Sequence, residues 1–259
     1  MALKNNKSLG QHWLKDRDVL AHIADCAELT RGDTVLEIGP GLGTLTSELL
    51  RRSNAVVAVE FDAELARKLP AQFPGTNLQV IQDDILSFDL STLPTNYAVV
   101  ANVPYYITSK IVQMLMTAEN KPRIAVLLVQ KEVAERLAAG PGHMSILAVS
   151  AQLFADVTLG DVVPARMFIP PPKVDSQVVI MRTRQSPFLS DISEKDFFTV
   201  VKAGFSAKRK KLRSSLSGGL SISKPEAESV LAQADISADS RAEALSLDDW
   251  VRLTRIVTP

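Results

Sequence analysis

The chain has 259 residues, with 29 basic and 29 acidic side chains, three His and one Cys. A chain this long buries about three quarters of the surface its unfolded form exposes, so it needs no disulfide or metal to hold a core. An apolar share of 46% and a charged share of 22% exclude disorder over the whole chain. One Cys excludes an internal disulfide and fits a reducing compartment. The scattered His leave no zinc-finger or HExxH spacing, so no metal is expected. The apolar run Ile124–Val129 is far shorter than the ~20 residues of a membrane span. The stretch Met1-Ala-Leu-Lys-Asn-Asn-Lys7 has no hydrophobic signal core. A cytoplasmic protein with no membrane partner is expected.

In chain order, Asp18–Leu29 reads as a helix. Thr34–Ile38, Ala55–Val59, Leu78–Ile81, Tyr97–Ala101 and Ile124–Val129 follow as short runs rich in β-branched residues. Such runs suit central strands buried on both faces of a parallel sheet. The helical patterns Thr44–Arg51, Asp62–Ala71, Ser109–Ala118 and Lys131–Ala139 alternate with them, which predicts an α/β doubly wound sheet. Gly140-Pro-Gly142 breaks the pattern, and Ser145–Phe154 reads as a further helix. Val157–Val163 and Val174–Arg182 alternate apolar and polar residues, as an antiparallel hairpin does. Pro170-Pro171-Pro172 makes its long connection stiff and extended. Beyond Ser186-Pro187 the signals are helical: Glu194–Phe205, Lys208–Leu216, Pro225–Ala234 and Leu247–Val257. The expected division is an α/β domain over 1–186 and a small all-helical domain over 187–259. No self-association segment is evident, so a monomer is expected.

The net charge is zero, which argues against a globally basic nucleic-acid binder. One stretch departs from that balance. Between Phe198 and Ser217 stand Lys202, Lys208, Arg209, Lys210, Lys211 and Arg213, with no acid among them. A purely solubilising helix face carries interleaved acids. Lys208, Arg209, Lys210, Lys211 and Arg213 are therefore read as contacts to an RNA backbone.

Val35-Leu-Glu-Ile-Gly39-Pro-Gly41-Leu-Gly43 is a strand running into a glycine-rich turn and then a helix. Glycine serves where φ turns positive and where a ligand approaches the backbone. The spacing is GxGxG, not the GxGxxG of dinucleotide folds. Glu60 closes the next strand, where a carboxylate can accept hydrogen bonds from both ribose hydroxyls. Gln82-Asp83-Asp84 follows the third strand, within reach of an adenine amino group. An adenosine-bearing cofactor across the carboxyl ends of the first strands fits all three. NAD would place its pyrophosphate on the helix N-terminus. Negative charge from Glu37 opposes that and suits the cationic methionine end of S-adenosylmethionine.

Asn102-Val103-Pro104-Tyr105 follows the fourth strand, at the same edge of the sheet. An exocyclic amine on adenine is a poor nucleophile, because its lone pair is delocalised into the ring. Acceptors on its two N–H bonds favour a pyramidal nitrogen with the lone pair free. The Asn102 side-chain oxygen and the Pro104 backbone carbonyl are the candidate acceptors. Tyr105 offers a flat face for the base. With the methyl donor already activated, positioning and electrostatics do most of the remaining work. His22 and Cys26, four residues apart, read as packing residues, and His143 as an exposed loop residue.

These motifs together resemble the ribosomal RNA adenine N6-dimethyltransferase family, and most closely its bacterial small-subunit (16S) branch. The similarity runs from about Lys7 to the C-terminal helices. Gly10-Gln11-His12-Trp13-Leu14 resembles the family's N-terminal segment over the cofactor. Glu37–Gly43 resembles the cofactor loop, Glu60 the ribose-binding acid, Asp84 the adenine-binding acid and Asn102–Tyr105 the catalytic motif. Gln130-Lys-Glu-Val133, Phe168–Ser176 and Phe205–Leu216 resemble further family segments. The resemblance implies a Rossmann-like S-adenosylmethionine-dependent methyltransferase domain. It implies that Gln11, His12, Leu14, Glu37, Gly39, Gly41, Glu60, Asp84 and Asn102 hold S-adenosylmethionine. It further implies that Phe168 sandwiches the flipped adenine opposite Tyr105. The substrate implied is two adjacent adenosines in the 3′-terminal stem-loop of small-subunit (16S) ribosomal RNA, each dimethylated, on an immature small ribosomal subunit. The chain departs from the family pattern at Trp13, where Phe is usual, and at Tyr106, where Asn is common. It departs again at Pro141–Ser145, where a Tyr and an Arg are lost. Three other readings are a large-subunit resistance methyltransferase, a non-catalytic assembly factor and an NAD oxidoreductase. The near-neutral charge and helical-domain match oppose the first. The intact Asn102–Tyr105 and Glu60 oppose the second, and the glycine spacing with Glu37 opposes the third.

Overall fold

The computed structural model describes residues 12–186 and 188–258. β1 (Trp13–Leu14) and α1 (Arg17–Asp25) lead into β2 (Thr34–Ile38), α2 (Thr44–Arg52), β3 (Ala55–Glu60), α3 (Ala63–Lys68), β4 (Leu78–Gln82), β5 (Ala98–Asn102), α4 (Thr108–Thr117) and β6 (Ile124–Gln130). α5 (Lys131–Leu137), α6 (Ile146–Gln152), β7 (Ala155–Val163), β8 (Phe168–Ile169) and β9 (Ser176–Thr183) follow. The chain ends in α7 (Glu194–Phe205), α8 (Leu212–Leu220), α9 (Lys224–Gln233) and α10 (Leu247–Val257).

Seven strands form one sheet in the order β4-β3-β2-β5-β6-β9-β7. The first five are parallel, and β9 and β7 close the sheet antiparallel. Every residue of Ile124–Val129 is essentially inaccessible to solvent. That is why β6 reads as an unbroken apolar run rather than an alternating one. Each such side chain contributes about 1.5–3 kcal/mol from burial, as an upper estimate. The chain leaves β2 toward β3 on one side and reaches β5 on the other. The carboxyl edge between β2 and β5 is thus a topological switch point, where open α/β sheets bind ligands. α1 begins at the cap Asp16, whose carboxylate accepts from the backbone N–H groups of Asp18 and Val19. It stops at Asp25, short of the expected Leu29, and Glu28 takes a positive φ of 49° just beyond.

The chain divides into two compact units. Among the described residues, those up to Glu135 with Ala155–Thr183 form the α/β unit, and Arg136–Phe154 with those from Arg184 on form the helical unit. The expected boundary at 186 therefore misplaces Arg136–Phe154. Its helix α6 buries Ala148 and Val149, with Met144 and Leu153, in one apolar cluster with Phe197, Val200, Val201 and Trp250. Gln152 reinforces the segment by donating to the carbonyls of Leu137 and Ala139 at 2.8 and 2.9 Å. α7 and α8 pack closely in this unit. A Cβ on Gly219 would lie 2.5 Å from the Ala203 Cα, so only glycine permits the approach.

The expected helix Lys208–Leu216 is also corrected. Ser206–Lys210 is a turn, closed by Lys210 N donating to Ala207 O at 2.9 Å, and α8 starts only at Leu212. Its first N–H groups are satisfied from outside the helix. Leu212 N donates to Ser240 O at 2.7 Å and Arg213 N to Ala238 O at 3.3 Å.

Candidate active site

The loops after β2, β3, β4 and β5 line one cleft of about 210 Å³ at the switch point. The β2–α2 loop holds Gly39, Gly41 and Gly43 at φ of 66°, 56° and 78°. A Cβ at Gly43 would also lie 2.6 Å from Leu69 Cδ1, so any other residue there is strained and must displace that side chain. Glu60 ties this loop to the next one. Its Oε2 accepts from Gly41 N at 3.0 Å and its Oε1 from Asp62 N at 2.8 Å. Burial pushes the Glu60 carboxyl above its usual range, while the backbone donors at Asp62 and Gly41 pull the other way.

Glu37 is 1% exposed, and its Oε2 accepts from Thr46 Oγ1 at 2.6 Å. Burial pushes its pKa to about 8, against the Thr46 hydrogen bond, with Glu60 adding a like charge. Burial thus favours the protonated carboxyl over the negative charge expected there. The group becomes a carboxylate readily if a cation enters the cleft. Asp84 lies at the exposed rim, with Oδ1 accepting from Leu86 N at 3.0 Å. Its own N–H donates to Asp83 Oδ1 at 2.8 Å. The apolar lining between these acids includes Phe61, Leu65 and Ile85. The Glu60 and Asp84 carboxyl groups beside an apolar slot, with glycine backbone at one wall, fit the adenosine and methionine ends of S-adenosylmethionine.

Asn102 closes β5, and its Nδ2 donates to the His12 backbone carbonyl at 3.2 Å. A carbonyl only accepts, so this contact fixes the amide and leaves Oδ1 as the remaining acceptor. The Pro104 carbonyl is partly engaged. Ile107 N donates to it at 3.2 Å and Thr108 Oγ1 at 3.4 Å. A carbonyl oxygen has two lone pairs, so it retains limited acceptor capacity. The Tyr105 hydroxyl shares a 2.7 Å hydrogen bond with Ser176 Oγ. Burial raises the Tyr105 pKa, so its phenol stays neutral. The His12 ring stacks beside Tyr105, with centroids 5.9 Å apart and planes at 23°. Its Nδ1 donates to the Pro170 carbonyl at 2.8 Å. Leu14 is buried, and its carbonyl accepts from Thr44 Oγ1 at 3.0 Å.

The cleft thus brings together His12, Leu14, Glu37, Gly39, Gly41, Glu60, Asp84, Asn102, Pro104 and Tyr105. Gln11 lies outside the described residues. Phe168 is absent from the lining. It is 2% exposed and packs in the core with Leu14, Leu20 and Val163. The cause is the short antiparallel pair β1–β8, which sets Phe168 opposite Leu14. The ring expected to face Tyr105 is a core ring, and His12 takes the place beside Tyr105. Two exposed aromatic residues in the lining escaped sequence reasoning as site residues: Phe61, 58% exposed, and Tyr106, 63% exposed. The signal for both was adjacency, since Phe61 follows Glu60 at the end of β3 and Tyr106 follows Tyr105 of the motif beyond β5. His22 is exposed rather than packed, with Nε2 3.2 Å from Asp161 Oδ2.

In the helical unit, the basic residues divide. Lys208, Arg209 and Lys210 stand exposed on the turn, with no ion-pair partner among the described residues. Lys211 Nζ is 2.9 Å from Asp239 Oδ1, and Arg213 Nη1 lies 3.1 Å from Glu228 Oε1 and 3.3 Å from Asp239 Oδ1. The run lacks acids only along the sequence. Lys211 holds the Asp239 carboxyl below its usual range. Among the described residues, no helix is long and apolar enough to cross a membrane, and no cluster of His, Cys, Asp and Glu suits a metal ion.

Residues 2–258 match the ribosomal RNA adenine dimethylase family. A relative from Dehalococcoides mccartyi (strain CBDB1), the ribosomal RNA small subunit methyltransferase A, is 43% identical over 97% of this chain and 88% of its own length. The protein of that name from Thermosynechococcus vestitus is 42% identical over 98% of this chain and 97% of its own length. Among solved structures, the 23S rRNA methyltransferase ErmE is similar with a TM-score of 0.78 and 30% identity, over 95% of this chain and 100% of that one. A dimethyladenosine transferase from Plasmodium falciparum gives a TM-score of 0.80 at 29% identity, over 93% of this chain and 96% of that one. With the cleft and its acceptor set, these matches place the chain in the ribosomal RNA adenine dimethylase family, as an S-adenosylmethionine-dependent enzyme that dimethylates adenine in ribosomal RNA.

Proposed function

We propose that the protein dimethylates two adjacent adenosines in the 3′-terminal stem-loop of small-subunit (16S) ribosomal RNA. It acts as a cytoplasmic monomer on an immature small subunit and takes part in the maturation of that particle. The observation that carries the chemistry is the Asn102 amide. The His12 carbonyl pins its nitrogen at 3.2 Å, so Oδ1 remains as the acceptor at the switch point. Identities of 42–43% with small-subunit methyltransferases, against 30% with a large-subunit enzyme, support the choice of RNA.

S-adenosylmethionine, when bound, supplies a methyl group already activated on a sulfonium. Gly39, Gly41, Glu37, Glu60 and Asp84 hold it, with Leu14, the His12 backbone and Gln11. Asn102 Oδ1 and the Pro104 carbonyl accept from the N6 amine and free its lone pair. Tyr105 gives the base a neutral ring, held in place by Ser176. Tyr105 and Asn102 also exclude water from one side of the amine. The proton leaves to solvent after transfer. Lys208, Arg209 and Lys210 contact the RNA backbone from the helical unit.

The test is methyl transfer from labelled S-adenosylmethionine to unmethylated small subunits, large subunits and naked large-subunit RNA, followed by digestion to nucleosides. N6,N6-dimethyladenosine with the small subunit alone is the expected result. Label confined to large-subunit RNA overturns the target. No label, with binding to the small subunit intact, overturns the catalytic assignment.

A further inference from the structure

Tyr106 is a large aromatic residue left 63% exposed at the lining of the catalytic cleft. It follows Tyr105 in the turn Tyr105–Ile107, directly beyond β5. Its neighbour is committed. The Tyr105 hydroxyl is bonded to Ser176, and its ring is flanked by His12 at 5.9 Å. Two stacked layers need about 7–8 Å, since carbon contacts are about 3.5–4.0 Å each. At 5.9 Å the two rings stand closer than that, so no base fits between them and the Tyr105–His12 pair offers no place for a second base. Tyr106 has no such engagement. Among the described residues its hydroxyl has no hydrogen-bond partner and its ring no aromatic neighbour. The other exposed aromatic of the lining, Phe61, follows Glu60 at the end of β3, on the side where the ribose acceptors lie. Tyr106 lies in the turn that follows the amine acceptors Asn102 and Pro104.

A base drawn out of a single-stranded loop leaves its neighbour without a stacking partner. An aromatic face beside the slot replaces that partner, and every nucleobase has a π-face to offer it. We propose that Tyr106 is a stacking platform for the nucleotide adjacent to the target adenosine, holding that base while the target occupies the slot beside Asn102 and Tyr105. The inference rests on the reading that the substrate is ribosomal RNA with an unpaired base next to the target. The occupant is a nucleobase, a purine giving the larger overlap. Tyr106 acts on RNA affinity and on the register of the target.

The experiment uses the full chain with Tyr106→Ala, Tyr106→Asn and Tyr106→Phe. Methyl transfer to unmethylated small subunits is measured over a range of subunit concentrations. S-adenosylmethionine affinity is measured separately, without RNA, by calorimetry. Alanine and asparagine should raise KM for the subunit about tenfold, the size of one base–aromatic stack. They should leave the cofactor Kd unchanged. Phenylalanine should match the wild type, because stacking needs the ring and not the hydroxyl. An unchanged KM in the alanine variant overturns the inference. So does a phenylalanine variant as impaired as alanine, or a loss that appears in cofactor Kd, which would make Tyr106 a wall of the cofactor site. If the wild type labels large-subunit RNA instead, the proposed target falls, and the same comparison on that RNA decides Tyr106. If it labels neither, both fall.

Discussion

The two units place their working groups in opposite ways. In the α/β unit they sit at strand ends, buried or half-buried, and each is held by a named partner: Glu37 by Thr46, Glu60 by Gly41 and Asp62, Asn102 by His12, Tyr105 by Ser176. In the helical unit they are long cations in water on a turn. The difference follows from the tasks. Freeing a lone pair on one nitrogen needs dipoles fixed before the substrate arrives. Attracting a phosphate backbone needs net charge within a Debye length, and tolerates side chains that move. Fixed dipoles are also where substitution should have its largest effects.

The largest should come at Asn102. Asn102→Ala removes the acceptor for N6 and the donor to the His12 carbonyl. Turnover should fall by roughly 10²-fold or more, as when other preorganised polar groups are removed. S-adenosylmethionine affinity should change only a few-fold. Single-turnover methyl transfer with calorimetry on the same preparation separates the two. Near-normal turnover would mean that this fixed dipole is dispensable, and the contrast between the units would lose its basis.

Glu37 tests the cost of burying such a group. Its folded pKa, about 8, lies above its usual value of 4.5. Between those two values the unfolded chain has lost a proton that the folded chain keeps. Stability therefore falls as pH rises through that window, and the loss is complete above about pH 8. Glu37→Gln keeps an acceptor for Thr46 Oγ1 and removes the titration. The variant should come close to the wild type near pH 5 and gain on it by about 3–4 kcal/mol between pH 5 and pH 8, without cofactor. It should also bind S-adenosylmethionine more weakly, since an amide cannot become the partner of a cation. Denaturant melts at several pH values read the first effect. Parallel pH profiles for the two proteins would show that Glu37 ionises normally in the fold.

Local pattern carried much of this architecture. β2, β3, β5 and β6 fall within a residue or so of the apolar runs that announced them, because burial on both faces demands apolar residues at nearly every position. The glycines at 39, 41 and 43 were legible because a positive φ is a local requirement. What stayed hidden depends on partners far along the chain. Phe168 is a core ring because β8 pairs with β1 about 150 residues away, and nothing in Phe168-Ile-Pro-Pro-Pro172 announces that register. α6 belongs to the helical unit because its apolar face meets α7 and α10, a choice its own sequence leaves open. The raised pKa of Glu37 follows from burial, which a strand-end carboxylate does not advertise. Tyr106 was visible as a departure from a motif, but its exposure beside the cleft was not.

The basic run gives the smallest effects and the sharpest separation. By sequence its five cations are alike, and by structure they are two groups. Lys208→Glu, Arg209→Glu and Lys210→Glu together should weaken binding to the small subunit and flatten its salt dependence by about 0.7–0.9 in log–log slope for each phosphate that is no longer neutralised. The melting temperature should hold, since none of the three has an ion-pair partner among the described residues. Lys211→Ala and Arg213→Ala should do the reverse. They release Asp239 and Glu228, so melting temperature should drop slightly at low salt and recover as salt screens the remaining charges. RNA affinity should change less than in the triple variant, because those two charges are already balanced by acids held against the start of α8. Equal losses of RNA affinity in both variants would show that the carboxylates at Asp239 and Glu228 do not neutralise their partners toward RNA. The run would then act as the single stripe that its sequence suggests.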